Sequence, residues 1–292
     1  MKDLSLVVGF IAIVAACGGP AGRPDGSDPN DNEKPDAQES TIDASFDDGC
    51  KDSARLVYVL DQMSKLSTFD PSTKTFVTLG TLDCGTGFAR PFSMGIGRDA
   101  TAWVLFNDGK LFQVDPMTLQ CTNMNWAKPL GLTQFGMGFS TDIAGGTEDS
   151  LFVAGGANAT AGTMSTLATI NTANMATTMV ATLPDWPELT GTGSGELWAF
   201  FPTTTDTRIE RLDKANGSPM TTFPLATLNG VRTSWAFAFW GGDFWVFLRR
   251  STETETTIYQ VDGVTGAIES MTPGDGRSIV GAGVSTCAPI LF

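Results

Sequence analysis

The chain has 292 residues, 41% of them apolar, with 33 Gly and 15 Pro, which suits one large turn-rich domain or two ordinary ones. It contains no His, which excludes His-based acid–base chemistry, Ser-His-Asp and Cys-His nucleophile arrangements, and the commonest metal ligand. The formal net charge of −14 argues against nucleic acid as a partner.

The first residues read as a targeting segment. Lys2 supplies a basic end, and Leu4 to Ala16 is an apolar run of 13 residues, too short to cross a bilayer as a helix. Val14, Ala15, Ala16 and Cys17 resemble the bacterial lipobox, and the resemblance implies that Cys17 is diacylated and becomes the mature N-terminus. An ordinary secretory cleavage nearby is the other reading. Residues 18–48 carry nine acids against Arg23 and Lys34 and almost no large apolar residues. A segment of this composition cannot bury enough surface to offset its chain entropy, so a disordered acidic tether is expected. The expected organisation is therefore a signal segment at 1–17, a tether at 18–48 and a folded domain at 49–292.

From residue 56 onward one pattern recurs. Its second strand appears as LVYVL (56–60), AWVLF (102–106), LFVAG (151–155), LWAFF (197–201) and FWVFL (244–248). The aromatic positions Tyr58, Trp103, Phe152, Trp198 and Trp245 are spaced by 45, 49, 46 and 47 residues. Phe92 to Cys121 is the most regular copy, with Asn107, Asp108 and Gly109 marking a hairpin. The third strand of each copy ends in Asp70, Asp115, Asn171, Asp213 or Asp262, where a side-chain oxygen can cap the following turn. Such a period indicates a radial repeat of four-stranded antiparallel sheets, a five-bladed β-propeller. First-strand copies stand at 92–97, 135–140, 189–194, 235–240 and 279–284, and small residues alternate with bulky ones where strands crowd the axis. The last has no blade after it, and the first blade lacks an inner strand. The C-terminal strand is expected to pair in the first blade and close the ring, removing exposed sheet edges.

With Cys17 assigned to lipid, four cysteines remain. Cys50 precedes the domain's first strand and Cys287 follows its last, so closure predicts a Cys50–Cys287 disulfide; Cys84 and Cys121 pair by elimination. Without a CxxC pair, metal binding by these residues is not expected.

Acids recur between first and second strands as Asp99, Asp149, Glu196 and Asp243, and turn geometry explains them better than a catalytic carboxylate ring does. On the opposite, channel-mouth face, Arg90, Arg232 and Arg277 stand just before inner strands and Lys128 lies in a fourth such loop. They suggest a basic collar for an anionic ligand, with local pairing as the alternative. Trp126 and Trp186, in the same set of loops, are candidates for stacking on a ligand or for wedging between blades.

The apolar leader with its Cys17 box, the acidic tether, PFSMGIGRDATAWVLFNDGKLFQVD, ELTGTGSGELWAFF and GAGVSTCAP resemble predicted lipoproteins of myxobacterial type. More distantly, the repeat is similar to quinoprotein and YVTN-type propeller repeats, although their cofactor motifs are not recognisable and no cofactor is expected. The resemblance implies a lipid-anchored envelope protein, in the outer membrane. Its expected role is as a binding or scaffold module for a protein or glycan at the channel face. A glycan hydrolase or lyase, and a purely structural envelope protein, are the rival expectations.

Overall fold

The computed structural model describes residues 49–158 and 163–290. The chain divides into Met1–Ser45 and Phe46–Phe292, and the described residues all belong to the second unit. The signal segment, Cys17 and the acidic segment 18–48 lie outside the described residues.

Five antiparallel four-stranded sheets form a ring, a five-bladed β-propeller. Blade one holds β1 (Val57–Asp61), β2 (Lys65–Asp70) and β3 (Thr75–Thr81). Blade two holds β4 (Pro91–Ile96), β5 (Ala102–Phe106), β6 (Leu111–Val114) and β7 (Cys121–Asn123). Blade three holds β8 (Gln134–Thr141), β9 (Asp149–Gly156), β10 (Ser165–Ile170) and β11 (Thr177–Leu183). Blade four holds β12 (Glu188–Gly191), β13 (Leu197–Phe201), β14 (Arg208–Leu212) and β15 (Pro219–Pro224). Blade five holds β16 (Arg232–Trp240), β17 (Asp243–Arg250), β18 (Thr257–Asp262) and β19 (Ile268–Pro273). The last strand, β20 (Ile279–Gly283), returns to blade one and pairs with β1 through Tyr58↔Gly283, Val59↔Ala282 and Leu60↔Gly281. The expected closure is therefore the observed one, and the strand copies read from the sequence fall on strands whose ends differ by up to three residues.

The inner strands β4, β8, β12, β16 and β20 pack each against the next around the axis. Close approach explains their small residues: a Cβ on Gly138 would stand 2.8 Å from the Leu189 carbonyl group, and one on Gly136 2.3 Å from the Pro187 oxygen. Between blades the core is aromatic and aliphatic. Phe69 of blade one meets Trp245 and Phe247 of blade five edge-on at 5.4 and 5.5 Å between ring centroids. A buried ring of this kind contributes about 1.5–3 kcal/mol, and Phe69→Ala is the sort of change that opens such an interface.

The turns after the third strands repeat one device. Oδ1 of Asp70, Asp115, Asn171, Asp213 and Asp262 accepts the backbone N–H two residues on, at 2.8–3.1 Å. The residue four positions on, at Lys74, Leu119, Met175, Gly217 and Gly266, has φ between 56° and 72° and donates its N–H back to the capping residue's carbonyl. Hydrogen bonds from the turn to the carboxylates also hold Asp70, Asp115 and Asp262 below their ordinary pKa.

Both expected disulfides are formed, Cys50–Cys287 and Cys84–Cys121, with Cα atoms 5.9 and 5.3 Å apart. The first ties the entering chain to the departing one. Around it Ser285 Oγ donates to the Ala54 carbonyl at 2.7 Å, and Arg55 Nη1 to the Cys287 carbonyl at 3.1 Å.

Candidate functional site

Each blade presents two ends. The loop face carries the connections between blades and those between second and third strands. The turn face carries the turns from first to second and from third to outer strands.

On the loop face the residues of the expected basic collar differ: some make local contacts, while Nε of Arg232 and of Arg277 is buried without a hydrogen-bond partner among the described residues. Arg277 lies over the Phe76 ring at 4.3 Å and pairs with Asp275 at 2.6 Å. Arg232 lies over Trp235 at 4.9 Å, and burial pulls its pKa down against the opposing pull of Asp185. Lys128 Nζ donates to the Asp108 carbonyl at 2.8 Å. Arg90 is exposed, and its backbone exchanges hydrogen bonds with Asn107. Trp126 and Trp186 are buried, with indole N–H groups donated to the Leu132 and Met164 carbonyls at 3.0 and 3.3 Å. A cavity of only about 70 Å³ opens among Pro91, Phe92, Ser234 and Trp235, too small for a sugar or a peptide.

Behind these residues, at the axis, stands a group the sequence reading did not single out. Glu188 of β12 is 1% exposed. Its Oε1 accepts from Ser93 Oγ of β4, and from the backbone N–H of Met137 in β8 at 3.2 Å. Burial pushes its pKa well above the usual carboxylate range, against the downward pull of those two hydrogen bonds. Glu188 is thus a buried carboxyl joining three inner strands, and burial favours its neutral form.

On the turn face, the differences between blades mark a site. In blade four, Glu196 stands two residues before Trp198, receives the Trp198 N–H at 3.2 Å and pairs with Arg211 at 2.8 Å. Arg211 lies opposite Trp198 in the register of β13 and β14. In blade five, Asp243 stands two residues before Trp245 and accepts from Gln260 Nε2 at 2.7 Å, while Trp245 donates to the Trp240 carbonyl. Gln260 lies opposite Trp245. In blade one, the Tyr58 hydroxyl donates to the Ser53 carbonyl at 2.9 Å.

Blade two departs from this arrangement. Gln113 lies opposite Trp103, but the position two residues before Trp103 is Thr101. The acid sits two residues earlier, at Asp99, and its carboxylate is occupied by the Thr101 N–H at 2.9 Å and the Thr101 hydroxyl at 2.7 Å. Trp103 is 3% exposed, and neither its indole N–H nor the Gln113 amide has a hydrogen-bond partner among the described residues.

Both residues line a groove of about 290 Å³ between blades two and three, with Arg98, Asp99, Phe139, Asp149 and Thr172. Its far wall is rigid: Arg98 pairs through Nε with Asp149 at 3.0 Å and donates through Nη2 to Thr141 Oγ1 and the Gly146 carbonyl. Thr286 Oγ1, from the chain's last segment, donates to the other Asp149 oxygen at 2.6 Å. A wider depression of about 520 Å³ continues past Asp149 and Thr172 toward Asp142 and Glu148. What remains available in the groove is one N–H donor, one amide and the unused lone pairs of two carboxylates.

The signal for this site was present in the chain as a spacing. Acid and aromatic are two apart at Glu196–Trp198 and Asp243–Trp245 but four apart at Asp99–Trp103. Taken as equivalent turn acids, these residues concealed the difference.

No protein-family model and no curated protein matches the chain. Among solved structures it is similar to regucalcin, a calcium-binding protein from Agrobacterium tumefaciens str. C58, at 12% identity and a TM-score of 0.45 over 80% of this chain and 76% of that one. A protein from Lactobacillus plantarum is similar at 11% identity and a TM-score of 0.43, over 80% of this chain and 72% of that one. The Dos1 propeller is similar at 13% identity and a TM-score of 0.42, over 75% of this chain and 56% of that one. These are distant likenesses to β-propeller proteins.

Proposed function

We propose that this protein is a cell-envelope lipoprotein of the myxobacterial type, held at the outer membrane by lipid on Cys17, whose propeller binds a glycan or protein ligand. The observation that carries the binding role is the groove between blades two and three. There the repeat leaves the Trp103 N–H and the Gln113 amide unpartnered among the described residues, whereas the Trp198 and Trp245 N–H groups and the Gln260 amide are satisfied internally. Both groups open on the groove and are not among the buried side-chain atoms left without a partner, so a ligand there gains hydrogen bonds at no cost to internal contacts. The groove replaces the loop-face collar as the favoured position, because Arg232 and Arg277 are already stacked on aromatic rings and Trp126 and Trp186 are buried.

A hydrolase or lyase fits less well. Such chemistry needs a carboxylate free to give or take a proton, and Asp99 and Asp149 each carry two short hydrogen bonds on the groove's own walls. The test is a binding screen of the detergent-solubilised full chain against glycans and envelope proteins, run beside Gln113→Ala. A ligand lost in that variant supports the reading. A ligand retained by Gln113→Ala and lost in Arg90→Ala with Arg232→Ala would return the site to the loop face.

A further inference from the structure

We infer that the groove between blades two and three takes an uncharged polyhydroxyl ligand, a neutral saccharide, held by the Trp103 indole N–H and the Gln113 amide. The inference rests on the binding-module reading and specifies its ligand.

Five of the seven tryptophans spend their N–H inside the protein: Trp126, Trp186, Trp198, Trp240 and Trp245. Trp235 has no such bond but is partly exposed. Trp103 alone is both buried and without an acceptor among the described residues. Its N–H is not among the buried side-chain atoms that lack a partner, so it opens on the groove, where a ligand can accept it. The free amide of Gln113, one strand over in register, lines the same groove and offers a donor and an acceptor.

Charge then narrows the class. Arg98, Asp99 and Asp149 line the groove, and Asp142 and Glu148 line the adjoining depression, so the surroundings are net acidic and repel an anion. Arg98 is committed to Asp149, Thr141 and the Gly146 carbonyl, leaving no free guanidinium fork for a carboxylate or phosphate. A cation is disfavoured for a different reason. Each oxygen of Asp99 and Asp149 already accepts one donor, and the Arg98 guanidinium on Asp149 Oδ1 offsets the local negative charge. No cluster of acids among the described residues has the geometry to hold a metal ion. A hydroxyl, by contrast, both donates and accepts. It can take the Trp103 N–H, exchange with the Gln113 amide and donate to a remaining carboxylate lone pair.

The volume agrees. About 290 Å³ accommodates a single sugar ring, and the continuation past Thr172 extends the groove along a chain of them. The edge-to-face pair Trp103–Phe139, 6.4 Å between centroids, supplies a small apolar floor of the kind that meets sugar C–H groups.

The experiment is calorimetric titration of the detergent-solubilised full chain with cellohexaose and chitohexaose as uncharged probes, hexagalacturonate as the anionic probe, and calcium chloride and spermidine as cationic ones. At least one uncharged oligosaccharide is expected to bind. Trp103→Phe keeps the buried ring and deletes only the N–H, and is expected to weaken that binding about three- to tenfold, with a similar loss in Gln113→Ala. Trp198→Phe, whose N–H is spent on Glu196, should leave it unchanged, and thermal melts verify that all three variants fold. Binding of hexagalacturonate, calcium or spermidine in place of both uncharged probes, lost in Gln113→Ala, overturns the ligand class but leaves the groove as the binding site. A protein ligand with that dependence does the same. Saccharide binding indifferent to Trp103→Phe and Gln113→Ala overturns the groove itself, and binding by none of the probes overturns the inference.

Discussion

Glu188 of the fourth inner strand accepts a hydrogen bond from Ser93 of the second, with the Met137 N–H of the third meeting the same oxygen. The carboxyl is wholly buried, and burial raises its pKa well above the ordinary value. The unfolded chain releases that proton near the usual glutamate pKa while the folded chain holds it. The folded state therefore binds more protons over the interval between the two values, and stability falls with rising pH across it, by at most about 1.4 kcal/mol per pH unit for one proton. Below the unfolded pKa the group costs nothing. Glu188→Gln keeps an acceptor for Ser93 and Met137 and removes the titration. Its melting temperature should match wild type near pH 4 and exceed it at pH 7–8. Parallel melting curves for the two proteins across that range would refute the assignment.

The two disulfides close loops of very different length, with sequence separations of 237 and 37. Chain entropy alone makes the first worth about 5 kcal/mol and the second about 4 kcal/mol. The structural consequence differs more than these values do, because Cys50–Cys287 clamps the one blade built from both ends of the domain. Cys50→Ser with Cys287→Ser is expected to lower the denaturation midpoint further than Cys84→Ser with Cys121→Ser. It should also expose β20 amides to hydrogen exchange before those of β4. Equal protection of β20 in both double variants would show that strand pairing closes the ring unaided.

The five-fold ring was legible because each copy carries its own turn chemistry, and a strand period of two fixes which residues face inward. Phe92, Met94 and Ile96 alternate with Ser93, Gly95 and Gly97, and the neighbouring strand fills the space left by the small residues. Glu188 was not legible. A carboxylate beside Pro187 reads as a solvated loop residue, and only the ring, which brings Ser93 and Met137 to it, makes it a buried acid. The groove failed for a related reason. Arg98 and Asp149 are 51 residues apart and belong to different blades, so no local pattern joins them. The loop-face arginines were visible as charges, but their aromatic partners were not: Phe76 lies far from Arg277 in sequence and reaches it only across the closing blade.

The turn device predicts where a methyl group is not tolerated. Gly266 has φ of 72°, and a Cβ there would stand 2.6 Å from Cβ and Cγ of Phe223 in the preceding blade. Gly266→Ala therefore combines left-handed strain with a clash against a ring side chain and should cost about 2–3 kcal/mol in urea denaturation. Gly276, with the same φ and nothing within 4 Å, separates the two contributions. Gly276→Ala should cost only about 1 kcal/mol. If both substitutions cost the same, packing against Phe223 contributes nothing.

The proposed membrane anchor depends on one atom, the Cys17 sulfur. The apolar run Leu4 to Ala16 is too short for a transmembrane helix, so the proposed anchoring rests on acyl chains on Cys17. Each buried CH₂ contributes about 0.8 kcal/mol, and one chain gives only marginal binding while two anchor firmly. Cells fed labelled palmitate should incorporate it into the wild-type protein and not into Cys17→Ser, and the variant should leave the membrane fraction. Because Cys17 is separated from Cys50 by the acidic segment, the substitution should leave both domain disulfides and the melting temperature unchanged. Wild-type protein that takes up no label, or a Cys17→Ser variant still held in the membrane fraction, would exclude lipidation as the anchor.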